Sequence, residues 1–411
     1  KPTCRGDYQL FLRDVSMDTK NEHFDVAVIG GGIQGAGIAQ SCAARGYSVL
    51  LSEKNTWASG TSSKSSKLIH GGLRYLETGQ LTLVYHSLRE RALLLKNAPG
   101  LVRQEDFYIP LYKHSQRKWW QIHIGLLVYR CLALFHPMST FGRVPESEWH
   151  TLDGIDKTGL LAVYRYRDAR TDDAELTRRV VASGQSLGVA AREHWDLMSA
   201  ERQNQGWKLH YNTPNGEHIT TADYVVNAGG PWVNDVAQRF SPSWKQSEIE
   251  LVRGSHVLLS GKLDKGIYYL ESQEDGRAVF AIPRFKAGSD GTEHEGIMLG
   301  TTEQTHTGAL DNVLATEQEK EYLLRVFRHY FPDWQGDITS SFAGLRVLAG
   351  GEGRAFSKQR DTFFIHQDGG ISVYGGKLTN MGQGWQMTIA VRIAVRPSKT
   401  SSTLSVIVRI L

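Results

Sequence analysis

Cysteine is nearly absent from the 411 residues: Cys4, Cys42 and Cys131 stand far apart, and one is necessarily unmatched. Such spacing predicts neither a disulfide framework nor a zinc site, and a reducing, cytosolic setting fits best. Long apolar runs are missing too. The longest, Ile124 to Phe135, contains Arg130 and falls short of the about 20 residues that span a bilayer. No basic stretch leads into an apolar run and a small-residue cleavage site at the start, so no secretory signal is predicted. A strong charge of either sign is also lacking. The 47 basic and 43 acidic residues leave +4, too little to predict nucleic-acid binding. What is there is ordinary for a globular chain, 40% hydrophobic and 22% charged, with length for two or three domains.

Acidic residues are unevenly spread. None occurs from Phe107 to Pro145, where Lys113, Arg117, Lys118, Arg130 and Arg143 interleave with Trp119, Trp120 and an apolar run. This pattern suits either a helix lying on anionic lipid or a buried helix with a solvated basic flank. None occurs after Asp368 either, and the Ser/Thr-rich stretch Ser398–Ser405 looks unlike the rest.

Periodicity predicts a β-branched strand at Phe24–Ile29, a tight turn at Gly30-Gly31-Gly32, and a helix carrying small residues at Gly35, Ala36, Ala39 and Ala43. Tyr47–Leu51 reads as a second strand ending at Glu53, completing a βαβ unit with a parallel sheet. An amphipathic helix is expected over Leu81–Lys96. Asp172 and Glu175 open a further helix running to about Gly188, and Thr316 with Glu319 caps one that Pro332 stops. Strands are expected at Trp207–Asn212 and Thr221–Asn227 around the turn Pro214-Asn215-Gly216, and at Ile371–Tyr374. Short strands of a second, antiparallel sheet are expected between Ile249 and Thr302.

Gly30-x-Gly32-x-x-Gly35 follows the first strand and opens the first helix, with Glu53 placed 18 residues beyond Gly35. Gly30 permits the turn, Gly32 lets backbone approach a pyrophosphate, and Gly35 lets helix and strand pack closely. The helix N-terminus favours phosphate, and Glu53 suits ribose hydroxyls. The motif alone leaves FAD and NAD open. No second copy occurs, which argues against a two-nucleotide disulfide reductase.

The run Thr61-Ser-Ser-Lys-Ser-Ser-Lys-Leu-Ile-His-Gly-Gly-Leu-Arg-Tyr-Leu-Glu77 is too specific for a serine linker. It closely resembles the signature of the FAD-dependent, quinone-linked (aerobic) glycerol-3-phosphate dehydrogenases, within the D-amino-acid-oxidase-like flavoproteins. The resemblance continues in order through Asn227–Val233, Arg253–His256, Phe280–Pro283, Leu299–Glu303, Gly344–Arg346, Arg360-Asp361 and Gly375–Thr379. Departures stand at Val347, Glu303 and Gly229, where the family has proline, aspartate and threonine, and from Asn380 onward the likeness fades.

The resemblance implies an α/β fold: a Rossmann-type FAD-binding domain plus a substrate or cap domain with an antiparallel sheet, without the family's C-terminal helical domain. The expected division is an N-terminal extension (1–21), FAD-binding segments (22–105, 169–248, 341–390), a cap region with a membrane-associating face (106–168), a substrate-binding sheet (249–340) and a divergent tail (391–411).

For the cofactor, motif and resemblance together point to Gly30, Gly32, Ile33, Gln34, Gly35, Glu53 and Lys54. Thr61, Ser62, Ser66, Lys67 and Leu68 follow, then Ala228, Gly229, Trp232, Gly376, Leu378 and Thr379. Hydride transfer from an alcohol needs a base and cations near the developing alkoxide. His70, then His256, are the candidate bases, and Arg346 and Lys377 the cations. Arg74, Tyr75, Arg360 and Arg253 are the candidates for a substrate phosphate. The implied reaction is oxidation of sn-glycerol 3-phosphate to dihydroxyacetone phosphate. Its implied partners are a quinone and the cytoplasmic face of the inner membrane, with room for a homodimer. An oxidase passing electrons to O2 and a flavin-binding protein without turnover stand as alternatives. No metal is expected.

Overall fold

The computed structural model describes residues 22–287, 293–350, 362–376 and 378. The expected extension 1–21 and tail 391–411 lie outside these residues.

The chain opens with β1 (Glu22–Ile29), α1 (Ile33–Ala43) and β2 (Val49–Ser52), then a two-residue β3 (Leu68–Ile69). Next come α2 (Leu81–Asn97), β4 (Val102–Tyr112), α3 (Trp119–Leu132), β5 (Phe141–Arg143) and β6 (Leu160–Thr171). Asp172 caps α4 (Asp173–Ser186) by accepting from the Glu175 amide at 2.9 Å, as the capping pattern predicts. It is followed by β7 (Ala190–Arg192), β8 (Asp196–Arg202), β9 (Trp207–Thr213), β10 (Gly216–Asn227), α5 (Val233–Gln238) and β11 (Phe240–Ser241). A third group comprises β12 (Ile249–Leu259), β13 (Ile267–Glu271), β14 (Ala278–Ala287), β15 (Glu293–Gly300) and β16 (Gln304–Thr305). A full capping box between Thr316 and Glu319 starts α6 (Glu317–Tyr330), and β17 (Ile338–Ala349), β18 (Phe363–Gln367) and β19 (Gly370–Tyr374) complete the described elements.

Among the described residues the strands form two sheets. In the first, β10, β1, β2 and β7 run parallel in that order, β19 joins β10 in parallel, and β9 and β8 extend the sheet as antiparallel strands. One face buries Val26, Val28 and Val49 under α1 and α4, through Ile38, Ala39, Leu176 and Val180. The opposite face packs Ala27, Leu50 and Val225 on Trp207, Tyr211, Phe240 and Trp244. Coverage on both faces is why β1 reads as a continuous apolar run rather than an alternating one. Its parallel strands end together at glycine turns, and a crevice opens there.

The second sheet runs β16-β12-β15-β14-β13-β4-β6-β3, with β17 on β12 and β5 on β6. All its pairings are antiparallel except that of β13 with β4. This differs from the expected division. The β13–β4 pairing places residues 106–168 and 249–300 in one sheet, and β17 crosses the boundary expected at 340. In β6 burial alternates with a period of two, Tyr164, Tyr166 and Asp168 being buried and Arg165 and Arg167 exposed.

Candidate cofactor and substrate site

A cleft of about 450 Å³ lies across the ends of β1, β2, β10 and β19. Fourteen of the residues singled out above line it: Gly30, Gly32, Ile33, Gln34, Glu53, Lys54, Thr61, Ser62, Ala228, Gly229, Trp232, Arg346, Gly376 and Leu378.

Its floor exists because side chains are missing. Gly30 has φ +113°, and a Cβ there would lie 2.4 Å from the Ala228 carbonyl oxygen. A Cβ on Gly35 would come within 1.9 Å of the Gly30 oxygen, so Gly35 supports the turn from below rather than lining the cleft. The Gly31 amide donates to Glu53 Oε2 at 2.7 Å and the Asn55 amide to Oε1 at 2.9 Å, which fixes the carboxylate at the end of β2. Ser62 Oγ accepts from the Ile33 amide at 2.9 Å, joining the serine run to the first turn of α1. Lys54 Nζ lies 4.1 Å above the Trp232 ring and 3.4 Å from Asp311. The loop holding Leu310, Asp311, Asn312 and Val313 thereby closes one side of the cleft, and Trp195 and Leu197 close another. Sequence reasoning passed over these six residues, which belong to no glycine or serine pattern.

Several predicted residues take other places. Lys67 pairs with Asp173, which is fully buried, and the same carboxylate accepts from the Ser65 amide at 2.9 Å. Lys67 therefore ties the serine run to the start of α4 instead of facing the cleft. Leu68 packs in the core with Phe107 and Tyr166. Ser66 Oγ meets His256 Nε2 at 2.9 Å. His256 is wholly buried, stacked on Phe342 at 4.8 Å and covering Gly300. Burial first, then Arg346 and Lys67, push its pKa down to about 3, so the ring is neutral and a weak proton acceptor. Arg253 Nε lies 3.0 Å from Glu319 in the capping box of α6, which explains why it does not face the cleft. Arg360, Lys377 and Thr379 lie outside the described residues.

Arg346 projects from β17 into the cleft. Its Nη2 donates to Thr301 Oγ1 at 3.0 Å, and Nη1 lies 3.6 Å from Glu303. Gly254 makes this possible, since a Cβ there would sit 2.7 Å from both Nη2 and the Thr301 hydroxyl. Desolvation, the neighbouring positive charge of Arg74 and, further down, that of Arg277 lower the Arg346 pKa to about 10. The charges of Arg74 and Arg277 thus both bear on Arg346 beside the cleft. Arg277, absent from the sequence expectation, approaches Glu303 at 3.7 Å.

The loop carrying His70 and Arg74 is held from behind. Buried Arg91 and Asp168 pair at 2.5 Å, Tyr129 donates to Asp168 at 2.6 Å, and the Gly71 amide donates to the Tyr129 hydroxyl at 2.7 Å. Gly71 admits no side chain, because a Cβ would lie 2.5 Å from both that hydroxyl and Leu88. Tyr75 is buried beside this network, and the His70 ring lies 6.2 Å from that of Phe280.

FAD fits the cleft on three counts: a glycine turn at its floor where a Cβ on Gly30 would strike backbone, a carboxylate fixed at the end of β2, and the buried indole N–H of Trp232. That N–H has no hydrogen-bond partner among the described residues.

Comparison with known proteins agrees. D-erythritol 1-phosphate dehydrogenase of Brucella abortus is 34% identical over 374 residues, covering 87% of this chain and 71% of its own length. Glycerol-3-phosphate dehydrogenase of Pseudomonas aeruginosa is 36% identical over 370 residues, covering 87% and 69%. The crystal structure of glycerol-3-phosphate dehydrogenase from Bacillus halodurans complexed with FAD superposes with a TM-score of 0.70 at 27% identity, covering 92% of this chain and 66% of that one. The chain thus spans about two thirds to seven tenths of these relatives' lengths. The model of the FAD dependent oxidoreductases matches residues 25–391, and the chain belongs to that family, as a flavoprotein oxidoreductase that uses FAD.

Proposed function

We propose that the protein oxidises the secondary alcohol of a polyol phosphate, with sn-glycerol 3-phosphate giving dihydroxyacetone phosphate as the leading substrate. The observation carrying this reading is the pair of guanidiniums, Arg277 and Arg346, on the buried carboxylate of Glu303 beside the FAD cleft, with the positive charge of Arg74 bearing on Arg346. Burial and the neighbouring charges of Arg74 and Arg277 make the Arg346 cation costly to hold, and a phosphate dianion or a developing alkoxide relieves that cost. FAD, when bound, accepts the hydride. Arg74 and Tyr75 hold the phosphate, Arg346 stabilises negative charge on the reacting oxygen, and His70 takes the hydroxyl proton. His256, kept neutral by burial, shapes the wall behind Ser66. The similarity to D-erythritol 1-phosphate dehydrogenase supports a second substrate, since both compounds are phosphate monoesters of polyols.

The electron acceptor in this reading is a membrane quinone. No helix among the described residues is long and apolar enough to cross a membrane. On α3, however, Trp120, Ile124 and Leu127 are 49, 52 and 45% exposed along one stripe, while Ile122, Leu126 and Tyr129 are buried along the other. Leu134 and Phe135 extend the exposed stripe, and Lys118 and Arg130 flank it. Such a face suits docking on anionic lipid.

Anaerobic addition of sn-glycerol 3-phosphate, or of D-erythritol 1-phosphate in parallel, should bleach the visible flavin band. Bound FAD that neither compound bleaches would remove the dehydrogenase reading. Peroxide formation on admitting air would favour O2 over quinone. Co-sedimentation with liposomes that ignores anionic lipid content would count against the docking face.

A further inference from the structure

Arg346 is held in place by neighbours that the reaction itself does not use. The segment after β15 is fixed at Thr302, whose Oγ1 donates to Glu319 at 2.7 Å and accepts from the Ser255 amide at 2.9 Å. Its two flanking residues, Thr301 and Glu303, both reach Arg346. The Glu303 side chain is only 2% exposed, and its two oxygens lie 3.6 Å from Arg346 and 3.7 Å from Arg277. Arg277 also donates to the Glu303 backbone carbonyl at 3.3 Å and lies 3.5 Å from Asp275, which accepts from Tyr322 at 3.0 Å. A buried carboxylate is costly unless cations hold it, and it then fixes those cations in return. Two guanidiniums sharing one carboxylate repel each other less and keep a defined separation.

We infer that Glu303 is a positioning residue: it sets the direction of the Arg346 guanidinium toward the reacting oxygen, with Arg277 as its counter-anchor. The inference rests on the proposed oxidation of a polyol phosphate. Glu303 touches neither substrate nor cofactor in this role. Its charge opposes the substrate phosphate, while its geometry serves the transition state. Removing it should therefore separate binding from turnover.

The test uses FAD-loaded full-length protein with two readouts: anaerobic flavin reduction by sn-glycerol 3-phosphate, and binding of inorganic phosphate by titration calorimetry. Wild-type reduction comes first, and its absence would fail the proposed function while leaving Glu303 unjudged, which distinguishes the two failures. Given wild-type reduction, Glu303→Gln should slow it at saturating substrate roughly tenfold to a hundredfold, the scale for displacing a reacting group by about 1 Å. Phosphate binding should hold or tighten, because one negative charge has left a cationic site. Glu303→Asp should recover part of the rate. Arg277→Met, which removes a cation, should weaken phosphate binding and lower the rate less. If Glu303→Gln does not retain FAD, the opposed pair Glu303→Asp and Arg277→Met carries the test. Unchanged reduction in Glu303→Gln overturns the inference. So does a parallel loss of phosphate binding and rate in both Glu303 variants, which is the mark of a merely structural role.

Discussion

The two sheets build their halves of the site by opposite means. On the parallel sheet the cleft is made where side chains are absent: Gly30 and Gly32 leave backbone at its edge, Gly35 packs beneath them, and the Glu53 carboxylate is tied down by two amides. On the antiparallel sheet the site is made of long charged side chains brought from distant positions, Arg346 from β17, Arg277 from just before β14 and Glu303 from just after β15. A cofactor common to many enzymes is gripped by backbone geometry, whereas a particular substrate is met by charges that can be exchanged one at a time. Damage where the glycines of the first half pack on backbone should be all-or-none, and damage to the second half graded.

The largest expected effect lies in the glycine half. Gly35→Val drives a side chain into the Gly30 carbonyl, already 1.9 Å from a bare Cβ, and should yield protein without flavin, destabilised by about 3 kcal/mol or more. Gly32→Ala sharpens the contrast. Its Cβ would meet only the Ser62 hydroxyl at 3.1 Å, so much of the flavin content, read from the ratio of visible to ultraviolet absorbance, should survive. Loss of flavin in Gly32→Ala as complete as in Gly35→Val would show that phosphate approach, not packing, limits this half.

In the charged half, Arg346→Met should keep FAD and lose flavin reduction by roughly 10²–10³-fold, as for removal of one donor that stabilises transition-state charge. Stopped-flow reduction under anaerobic conditions measures it, and reduction at the wild-type rate would exclude Arg346 from alkoxide stabilisation.

His256 tests where the halves meet. Its folded pKa of about 3 lies below the ordinary value of 6.5, so unfolding takes up a proton once the pH falls below about 6.5. Its contribution to stability is fully present above that pH and is lost as the pH falls toward 3. About 3 kcal/mol should disappear between pH 7 and pH 4, at about 1.4 kcal/mol for each unit below 6.5. Urea midpoints across that range measure it, and His256→Gln should flatten the profile. A wild-type profile already flat would mean the ring meets water more readily than its burial indicates.

The glycine half was legible in the sequence, because a backbone that must turn at φ +113° or pass within touching distance of a helix leaves glycine at fixed spacing. Caps were legible for a similar reason: Asp172 and Thr316 act on amides three residues away. The second sheet was less so. β4 and β6 are separated in sequence by α3, and β13 reaches β4 from more than 150 residues downstream, so no local window reveals their pairing. Arg277 and Glu303 fall in the same class. Each is an ordinary charged residue in sequence, and only the antiparallel registers of β14 with β15, and of β12 with β15 and β17, bring them to Arg346. Lys67 shows the converse. Its place in the serine run pointed to the cofactor, yet a buried carboxylate at the start of α4 offered a stronger partner than the cleft did.

One helix serves both exterior and interior. The outer stripe of α3 shows Trp120, Ile124 and Leu127, and its inner stripe sends the Tyr129 hydroxyl to the Gly71 amide between His70 and Arg74. The helix therefore ties its exposed apolar stripe to the backbone of the loop carrying His70 and Arg74 through one hydroxyl, itself anchored on the Arg91–Asp168 pair.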